Sequence, residues 1–554
     1  MRFDNLISLT TLAALVAACG GGPAPDAATP TAALSATPVA SATPVPPPTA
    51  TPEPIIFTVG LPGPLSTLDP ASASEPSALV VTRHLYDGLT RFAPGGVVVE
   101  PALAESWVAA PDATAYTFTL RVGVTFSTGA PFNAAAAQAN VERWLNGAEA
   151  GFPYVPAMLG GFAGQVDANG ASLSRVAEVR AEGADTLIVR LTGPDSAFPA
   201  TLAMPAFAMV DPAAWADPAF GAPGAASAGT GPFRLRASLQ PDLVELEPNP
   251  SAWTTPTRLD LLRFKSLVDP TQRVIALQVG EVDAIADLPT EQATIGESWP
   301  VRVVGQPPQQ VLFLGFNHNR RPWATAACRQ AVAVGLDRAA LAQAAGGSQT
   351  PRAGFVSAAE PPTPDVTRAQ AMWAECVAQQ DAPIATPIAL YAPPIPRPYL
   401  ADPQTFGQVL QAQLTTIGIA TVVVQSDWST AWLPDVQAGR ADLFVLGASD
   451  LNGDATTLLC PLFCGANAAF NTSRDGLASA PDDELAALLA QARALPDVAQ
   501  RTALATQADA LISERSPAIA LASPVETWAI ASDWQGEALG PLEALFTHMA
   551  PVEP

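Results

Sequence analysis

Lysine, histidine and charged residues in general are scarce in this sequence. Its 554 residues include three histidines and a single lysine, Lys265, and only 14% are charged. The 27 basic residues stand against 51 acidic ones, which gives a formal net charge of −24. Because so negative a surface repels phosphate groups, the composition argues against a nucleic-acid partner. Two explanations of the charge stay open: solubility outside the cell, and attraction of cationic solutes.

Motifs of common catalytic sites are absent as well. The sequence contains no G-x-S-x-G, no S-x-x-K and no H-E-x-x-H, so the familiar serine nucleophiles and the zinc-protease motif are missing. Lys265 lies between Phe264 and Ser266, a context that fits neither a phosphate-binding loop nor a Schiff base. The histidines are scattered, and the cysteine spacings are not those of zinc motifs. We therefore expect no enzyme, no metal and no cofactor.

The N-terminus predicts export and lipid anchoring. Arg2 precedes an apolar stretch at 6–18 that is too short to span a bilayer and suits a signal peptide over residues 1–18. It ends in Val16-Ala17-Ala18-Cys19, which resembles a bacterial lipobox. Cys19 is therefore the predicted lipidation site, and an ordinary secretory signal with an incidental cysteine is the alternative. No later segment is long and apolar enough to cross a membrane, so we expect attachment through Cys19 alone.

A change of composition separates a tether from a globular body. Residues 19–54 are rich in Pro, Thr and Ala and cannot bury a core. Proline holds such a segment extended, so it reaches on the order of 100 Å at ~3.1 Å per residue. From Ile55 onward the pattern is globular, and a body of this length is expected to form two or more lobes.

Four cysteines remain beyond Cys19, an even number that suggests two disulfides in an oxidising compartment. Cys460 and Cys464 can close a small loop, and Cys328 with Cys376 is then the complementary pair. Four cysteines allow three pairings, and the sequence leaves the choice open.

The first half of the body is predicted to be rich in antiparallel strands. Apolar residues at the even positions of 116–126 alternate with polar ones and predict a half-buried strand. Hairpins are predicted around the turns at 182–185 and 240–242. The second half alternates helices with strands, as an α/β lobe does. Helices are expected after Asp269-Pro270, after Asp402-Pro403 up to Gly418, and through Leu485, Leu488, Leu489 and Ala492.

Several ordered segments together resemble the family 5 extracellular solute-binding proteins, the peptide-, dipeptide- and nickel-type receptors of bacterial ABC importers. The resemblance covers roughly residues 55–535. Its most specific part is the run from Tyr86-Asp87-Gly88-Leu89 through Glu105-Ser106-Trp107 to Gly123-Val124-Thr125-Phe126. Further segments match in order: Thr67-Leu68-Asp69-Pro70, Gly229-Thr230-Gly231-Pro232-Phe233, Gly280-Glu281-Val282-Asp283, Leu314-Gly315-Phe316-Asn317 and Arg329-Gln330-Ala331.

This resemblance implies an α/β, two-lobed fold of the type II periplasmic-binding-protein kind, with mixed sheets. Lobe I is discontinuous, at 55–300 and 516–554, and lobe II is inserted at 301–515. The implied function is that of a monomeric, lipid-anchored receptor outside the cytoplasm. It captures a solute, with peptide as the leading candidate, by hinge closure and delivers it to a membrane ABC permease.

The resemblance also suggests binding residues. In oligopeptide-binding members an aspartate pairs with the ligand ammonium and a tryptophan precedes it at a fixed distance. Asp450 and Trp428 have that spacing, and Asp454 is a second candidate. Phe444 stands where the oligopeptide type carries an arginine, which argues against a carboxylate clamp there. Gly447 replaces a tryptophan and is expected to open the pocket to a bulkier solute.

Each candidate has a structural alternative. Asp450 and Asp454 can cap a loop, and Trp428 can belong to the core. A nickel chelate, an oligosaccharide, haem or an opine could replace peptide as the solute. The same fold could serve as a sensor without a permease, and a secreted hydrolase is a remote possibility.

Overall fold

The computed structural model describes residues 53–167, 169–236, 242–289, 299–306, 309–464, 483–540 and 543–552. Residues Pro54–Pro554 form one compact unit. The predicted signal peptide, Cys19 and nearly all of the predicted tether lie outside the described residues. Within the described ranges, no helix combines the length and the apolarity that a membrane crossing requires.

Sheet A has seven strands and assembles distant parts of the chain. Its order is β12-β19-β11-β1-β10-β9-β8, and β1 pairs with β10 in parallel although about 200 residues separate them. Phe57, Val59 and Phe264 are fully buried in its core. Its strands are β1 (Ile56–Leu61), β8 (Phe233–Arg236), β9 (Leu243–Pro248), β10 (Leu261–Ser266), β11 (Ala284–Ile285), β12 (Val301–Gln306) and β19 (Glu526–Ala531).

Sheet B has six strands in the order β14-β18-β13-β17-β15-β16. Its central strand β13 is apolar and buried along nearly its whole length, as expected for a strand covered on both faces. Its strands are β13 (Gln310–Phe316), β14 (Gln349–Pro351), β15 (Ile388–Tyr391), β16 (Thr421–Val423), β17 (Leu443–Ser449) and β18 (Ala518–Pro524).

Sheet C has four antiparallel strands in the order β4-β5-β7-β6. The predicted alternation is confirmed at Tyr116, Phe118 and Leu120, which face its core. The strand ends there, however, and Val122 lies in a turn with 74% of its surface exposed. The predicted hairpin at 182–185 is present. The strands are β4 (Ala104–Ala109), β5 (Ala115–Leu120), β6 (Val176–Glu182) and β7 (Thr186–Leu191).

Three short antiparallel ribbons complete the described strands. The β8–β9 hairpin of sheet A is also confirmed, although most of its predicted turn lies outside the described residues. The ribbons pair β2 (Thr90–Phe92) with β3 (Val99–Pro101), β20 (Trp534–Gln535) with β23 (Ala550–Pro551), and β21 (Ala538–Gly540) with β22 (Glu543–Leu545).

The helix signals predicted at Asp269, Asp402 and Gly418 are present in the structure. Asp269 accepts a hydrogen bond from the Gln272 main chain as an N-cap, Asp402 caps the longer helix α9, and Gly418 ends α9 with a φ of +104°. The helices are α1 (Pro76–Leu85), α2 (Ala134–Leu145), α3 (Tyr154–Leu159), α4 (Phe198–Thr201), α5 (Pro270–Gln278), α6 (Ala326–Gly335), α7 (Arg338–Ala344), α8 (Val366–Ala378), α9 (Pro403–Ile417), α10 (Leu433–Gln437), α11 (Ala455–Phe463), α12 (Asp483–Ala494) and α13 (Val498–Arg515).

The chain crosses between sheets A and B twice. One crossing leads from β12 to β13, and the other is the short segment from Pro524 to Glu526, between β18 and β19. We propose the two sheets as the centres of lobes I and II. Under this proposal both divisions expected from the sequence move, because β12 at 301–306 belongs to sheet A and β18 at 518–524 belongs to sheet B.

Both disulfides of the structure lie in the sheet B half of the molecule. Cys328 of α6 is joined to Cys376 of α8, with Cα atoms 5.4 Å apart. Cys460 and Cys464 are joined at the end of α11, with Cα atoms 4.4 Å apart. This is one of the three pairings that the sequence left open.

Candidate functional site

A cavity of about 500 Å³ lies where sheets A and B meet. Sheet A contributes Glu526 and Trp528, and sheet B contributes Gln310 and Gln349. Met204, which packs in the core of sheet C, completes the wall. A space of this size, bounded by several parts of the fold, is typical of a small-ligand site.

Two glutamine side chains give this cavity enclosed hydrogen-bond acceptors. The Oε1 atoms of Gln310 and Gln349 are buried, and among the described residues neither has a hydrogen-bond donor. An acceptor in this state costs about 1–3 kcal/mol unless a donor reaches it. These two side chains are therefore polar groups of the wall whose hydrogen bonding the described protein leaves incomplete.

The cavity wall also carries a carboxylate pair at the start of β19. Glu526 and Asp287 both line the cavity. Glu526 is exposed to the cleft, yet the surrounding protein limits its hydration, and this burial together with the negative charge of Asp287 raises its pKa to about 7. Behind them, the nearly buried Arg273 donates to the Asp287 carboxylate at 3.1 Å.

Asp450, the first predicted binding residue, lies directly beside the cavity. It follows β17, its main-chain N–H donates to the carbonyl of Gln309 at 2.7 Å, and both Gln309 and Leu451 line the cavity. Burial and the nearby negative charge of Asp454 raise the pKa of Asp450 to about 6, against the lowering effect of main-chain N–H groups in the same loop. Its Oδ1 atom is enclosed and has no donor within the described part of the chain.

Asp454 has a structural position instead. It caps α11 by accepting from the Thr456 main chain, and it pairs with the Arg501 side chain at 2.6 Å. Both partners of this ion pair are at most 9% exposed. The Asp454 carboxylate is thus paired with a buried guanidinium, whereas the Asp450 carboxylate is approached by main-chain N–H groups of its own loop.

Trp428 lies outside the cavity lining formed by the described residues. Its ring stacks on Trp432 at 4.7 Å and receives the Arg397 guanidinium at 4.4 Å. Pro398, the neighbour of Arg397, lines the cavity. Trp428 therefore supports the wall through Arg397 and Pro398.

Phe444 and Gly447 both lie in packed surroundings on β17. Phe444 is 2% exposed and fills the space over Gly315, beside Phe313. A Cβ atom on Gly447 would lie 2.1 Å from the ring of Tyr399. Tyr399 thus takes up the room that we expected Gly447 to leave for a bulkier solute.

Sequence reasoning missed the glutamines and the carboxylate pair. Each of three strands begins with one of these residues: β13 with Gln310, β14 with Gln349 and β19 with Glu526. Glutamine side chains at strand ends carry no motif, and only the pairing of distant strands brings them together. Gln310 and Glu526 lie at the two crossings, but these crossings are recognised only from the strand pairings.

Comparisons with known proteins agree with this architecture. The glutathione-binding protein GsiB of Escherichia coli strain K12 is 28% identical over 474 residues, which cover 82% of this chain and 86% of that protein. The structure of HbpA2 from Haemophilus parasuis has a TM-score of 0.77 at 22% identity and covers 90% of this chain and 100% of that one. A dipeptide-binding protein from Pseudoalteromonas sp. SM9913, in complex with Met-Leu, has a TM-score of 0.67 at 21% identity, with 90% and 100% coverage.

These structural likenesses support the expected type II periplasmic-binding-protein fold. The family model of the bacterial extracellular solute-binding proteins, family 5, matches residues 98–470, more than half of the chain. The chain therefore belongs to family 5 of the bacterial extracellular solute-binding proteins.

Proposed function

We propose that this protein captures short peptides outside the cytoplasm and delivers them to the permease of an ABC importer. The observation that carries the proposal is the cavity between sheets A and B, with the unpaired Oδ1 of Asp450 beside it. A peptide ammonium supplies the missing donor, and its backbone N–H groups match the enclosed acceptors of Gln310 and Gln349.

Two relatives support the choice of peptide. One is named for glutathione binding, and one solved structure holds the dipeptide Met-Leu. Arg83 from α1 also lines the cavity, and its positive charge attracts the carboxylate of a peptide. In this role the protein releases its solute unaltered.

We further propose that the protein acts as a monomer anchored to the cell membrane through a lipid on Cys19. The lipobox-like Val16-Ala17-Ala18-Cys19 and the proline-rich residues 19–54 support this arrangement. Radiolabelled palmitate incorporation into the wild type, and its loss in Cys19→Ala, is the direct measurement.

Calorimetric titration with short peptides tests the capture of peptide. We expect binding of a tripeptide such as Ala-Leu-Ala, and we expect Asp450→Asn to weaken it about 10- to 100-fold, because one charge-assisted hydrogen bond contributes ~1.5–3 kcal/mol. The pKa of Asp450 is about 6 in the free protein, so the affinity should also fall as the pH drops below 6 and the carboxyl becomes neutral.

Asp381→Asn is the matched control. Asp381 pairs with Arg321 on the surface and is 80% exposed, so this variant should bind the tripeptide as the wild type does. Unchanged affinity in Asp450→Asn would remove Asp450 from the site, and the absence of any peptide binder would reject the proposed solute.

A further inference from the structure

The end of β18 gathers the polar groups of the cavity. Gln349 of β14 pairs with Pro524, the last residue of β18. On the other side, Leu312 of β13 pairs with Ala522, so β13 begins with Gln310 beside the same strand end. Two enclosed glutamine oxygens thus flank the point at which the chain leaves sheet B.

Glu526 stands two residues beyond that point. The intervening Val525 donates its main-chain N–H to the carbonyl of Ser348 at 2.8 Å, which holds the crossing segment against β14. On the sheet A side, Leu288 donates to the carbonyl of Thr527 at 2.9 Å, which brings Asp287 beside Glu526. The carboxylates and the glutamines therefore surround one short segment.

Of the two carboxylates at the crossing, Asp287 has an ion-pair partner in the described structure. Arg273 makes four hydrogen bonds or ion-pair contacts to the 267–287 region, with both the side chain and the carbonyl of Asp287 among its partners. Its single positive charge offsets that of Asp287. Glu526 then supplies a local negative charge at the crossing, close to the two glutamine side chains, while Arg83 brings a positive charge to the same cavity from α1.

We propose that Glu526, with Asp287, Gln310 and Gln349, forms a second cation subsite that receives a positively charged side chain of the solute. The inference rests on the proposed capture of peptides and makes it more specific: the preferred solutes are peptides with a lysine-like or arginine-like side chain. Asp450 holds the peptide ammonium, and the subsite at the crossing holds the second positive charge.

Proton release is the independent signature of this subsite. Glu526 titrates close to neutral pH in the free protein because of burial and the charge of Asp287. A bound cation stabilises the ionised carboxylate, so the Glu526 proton leaves for the buffer when the solute enters. Binding a basic peptide near pH 7 should therefore release protons, which calorimetry detects through buffers of different ionisation enthalpy.

The decisive comparison uses Ala-Lys-Ala and Ala-norleucine-Ala, which differ in the side-chain ammonium but hardly in size. We expect wild-type protein to bind Ala-Lys-Ala at least 10-fold more tightly. In Glu526→Gln the ratio of the two affinities should fall to about one, and the proton release should disappear. In Asp450→Asn both peptides should bind more weakly while their ratio stays high.

Glu281→Gln is the matched control, because Glu281 forms a surface ion pair with Lys265. The ratio of the two peptide affinities in this variant should equal that of the wild type. An affinity ratio near one in the wild-type protein, with ordinary peptide binding, would overturn this inference and leave the proposed function intact. Failure of both peptides to bind would overturn the two together. The wild-type comparison decides the matter even if Glu526→Gln folds poorly.

Discussion

Asp450 and Asp454 lie four positions apart, yet their carboxylates meet different surroundings. Asp450 has an enclosed oxygen without a donor in the described structure. Asp454 has a helix N-terminus on one side and Arg501 on the other. A carboxylate that the protein leaves incomplete is suited to a ligand, whereas one that the protein completes stabilises the fold.

Asp454→Ala should therefore destabilise the protein strongly. The variant removes the N-cap of α11 and leaves the buried Arg501 guanidinium without its partner, and breaking such a pair costs about 3–5 kcal/mol. Asp454→Ser keeps a capping oxygen and should recover about 1 kcal/mol of that loss. Urea unfolding measures the free energy of unfolding of both variants. A variant of normal stability that binds peptide poorly would instead make Asp454 a ligand group.

Some residues of the candidate site could be predicted from the sequence, and others could not. Asp450 was predicted because its spacing from Trp428 matches a family pattern, and its role in binding stays a prediction. Gln310, Gln349 and Glu526 were not found, because their chemistry is common and their proximity depends on strand pairings between distant segments. Gly447 was misjudged for the same reason, since Tyr399 reaches it from another part of the chain.

At the scale of elements, local signals predicted well where they act within a few residues. The caps at Asp269 and Asp402 need only the next helical turn, and both were anticipated correctly. The strand predicted over 116–126 was too long. It ends at Leu120, because Gly123 adopts a φ of +80° and turns the chain where the apolar alternation continues. Alternation alone does not reveal a turn of this kind.

His84 links two elements from opposite ends of the chain. Its Nδ1 lies 2.8 Å from the Val80 carbonyl within α1, and its Nε2 accepts from the Phe546 main-chain N–H at 3.0 Å. The ring is therefore neutral, and its burial lowers its pKa from 6.5 to about 4. The unfolded chain binds a proton at this side chain below pH 6.5, whereas the folded protein does so only near pH 4.

This difference predicts that the stabilisation contributed by His84 is lost as the pH falls from 6.5 to 4. The free-energy difference of unfolding between wild type and His84→Gln should shrink by about 3 kcal/mol over that window. Denaturant titrations at several pH values measure it. The raised pKa values of Asp450 and Glu526 act in the opposite direction, but they cancel in this comparison. A difference that does not vary with pH would contradict a buried neutral imidazole.

For the molecule as a whole, the division of the chain between two lobes depends on which strands join which sheet. The sequence predicted a discontinuous lobe I and an inserted lobe II, but β12 and β18 each pair with the sheet opposite to the one expected. Strand composition does not distinguish the two sheets, because both bury apolar faces. Only the strands that pair with β12 and β18 distinguish the two sheets, and two of these strands, β19 and β13, come from segments more than 200 residues away.

The sheet B half also contacts α4 and the core of sheet C. Asn452, which follows β17 of sheet B, is 1% exposed and donates to the Thr201 hydroxyl of α4 at 3.1 Å. Ser196 donates its main-chain N–H to the carbonyl of Arg493 at 2.8 Å, and Leu451 packs against the core of sheet C. These contacts join the sheet B half to α4 and sheet C, so a hinge motion that separates these parts would have to break them.

Thr201→Val should therefore shift the peptide-free protein toward an open form. The change keeps the side-chain shape but leaves the buried Asn452 amide without its acceptor, which costs about 1–3 kcal/mol in the closed form only. Small-angle scattering should give a larger radius of gyration than for the wild type, and saturating tripeptide should restore the wild-type value. Thr506→Val, in which the lost hydrogen bond lies within α13, should match the wild type. An unchanged radius and unchanged affinity in Thr201→Val would mean that these contacts do not take part in closure.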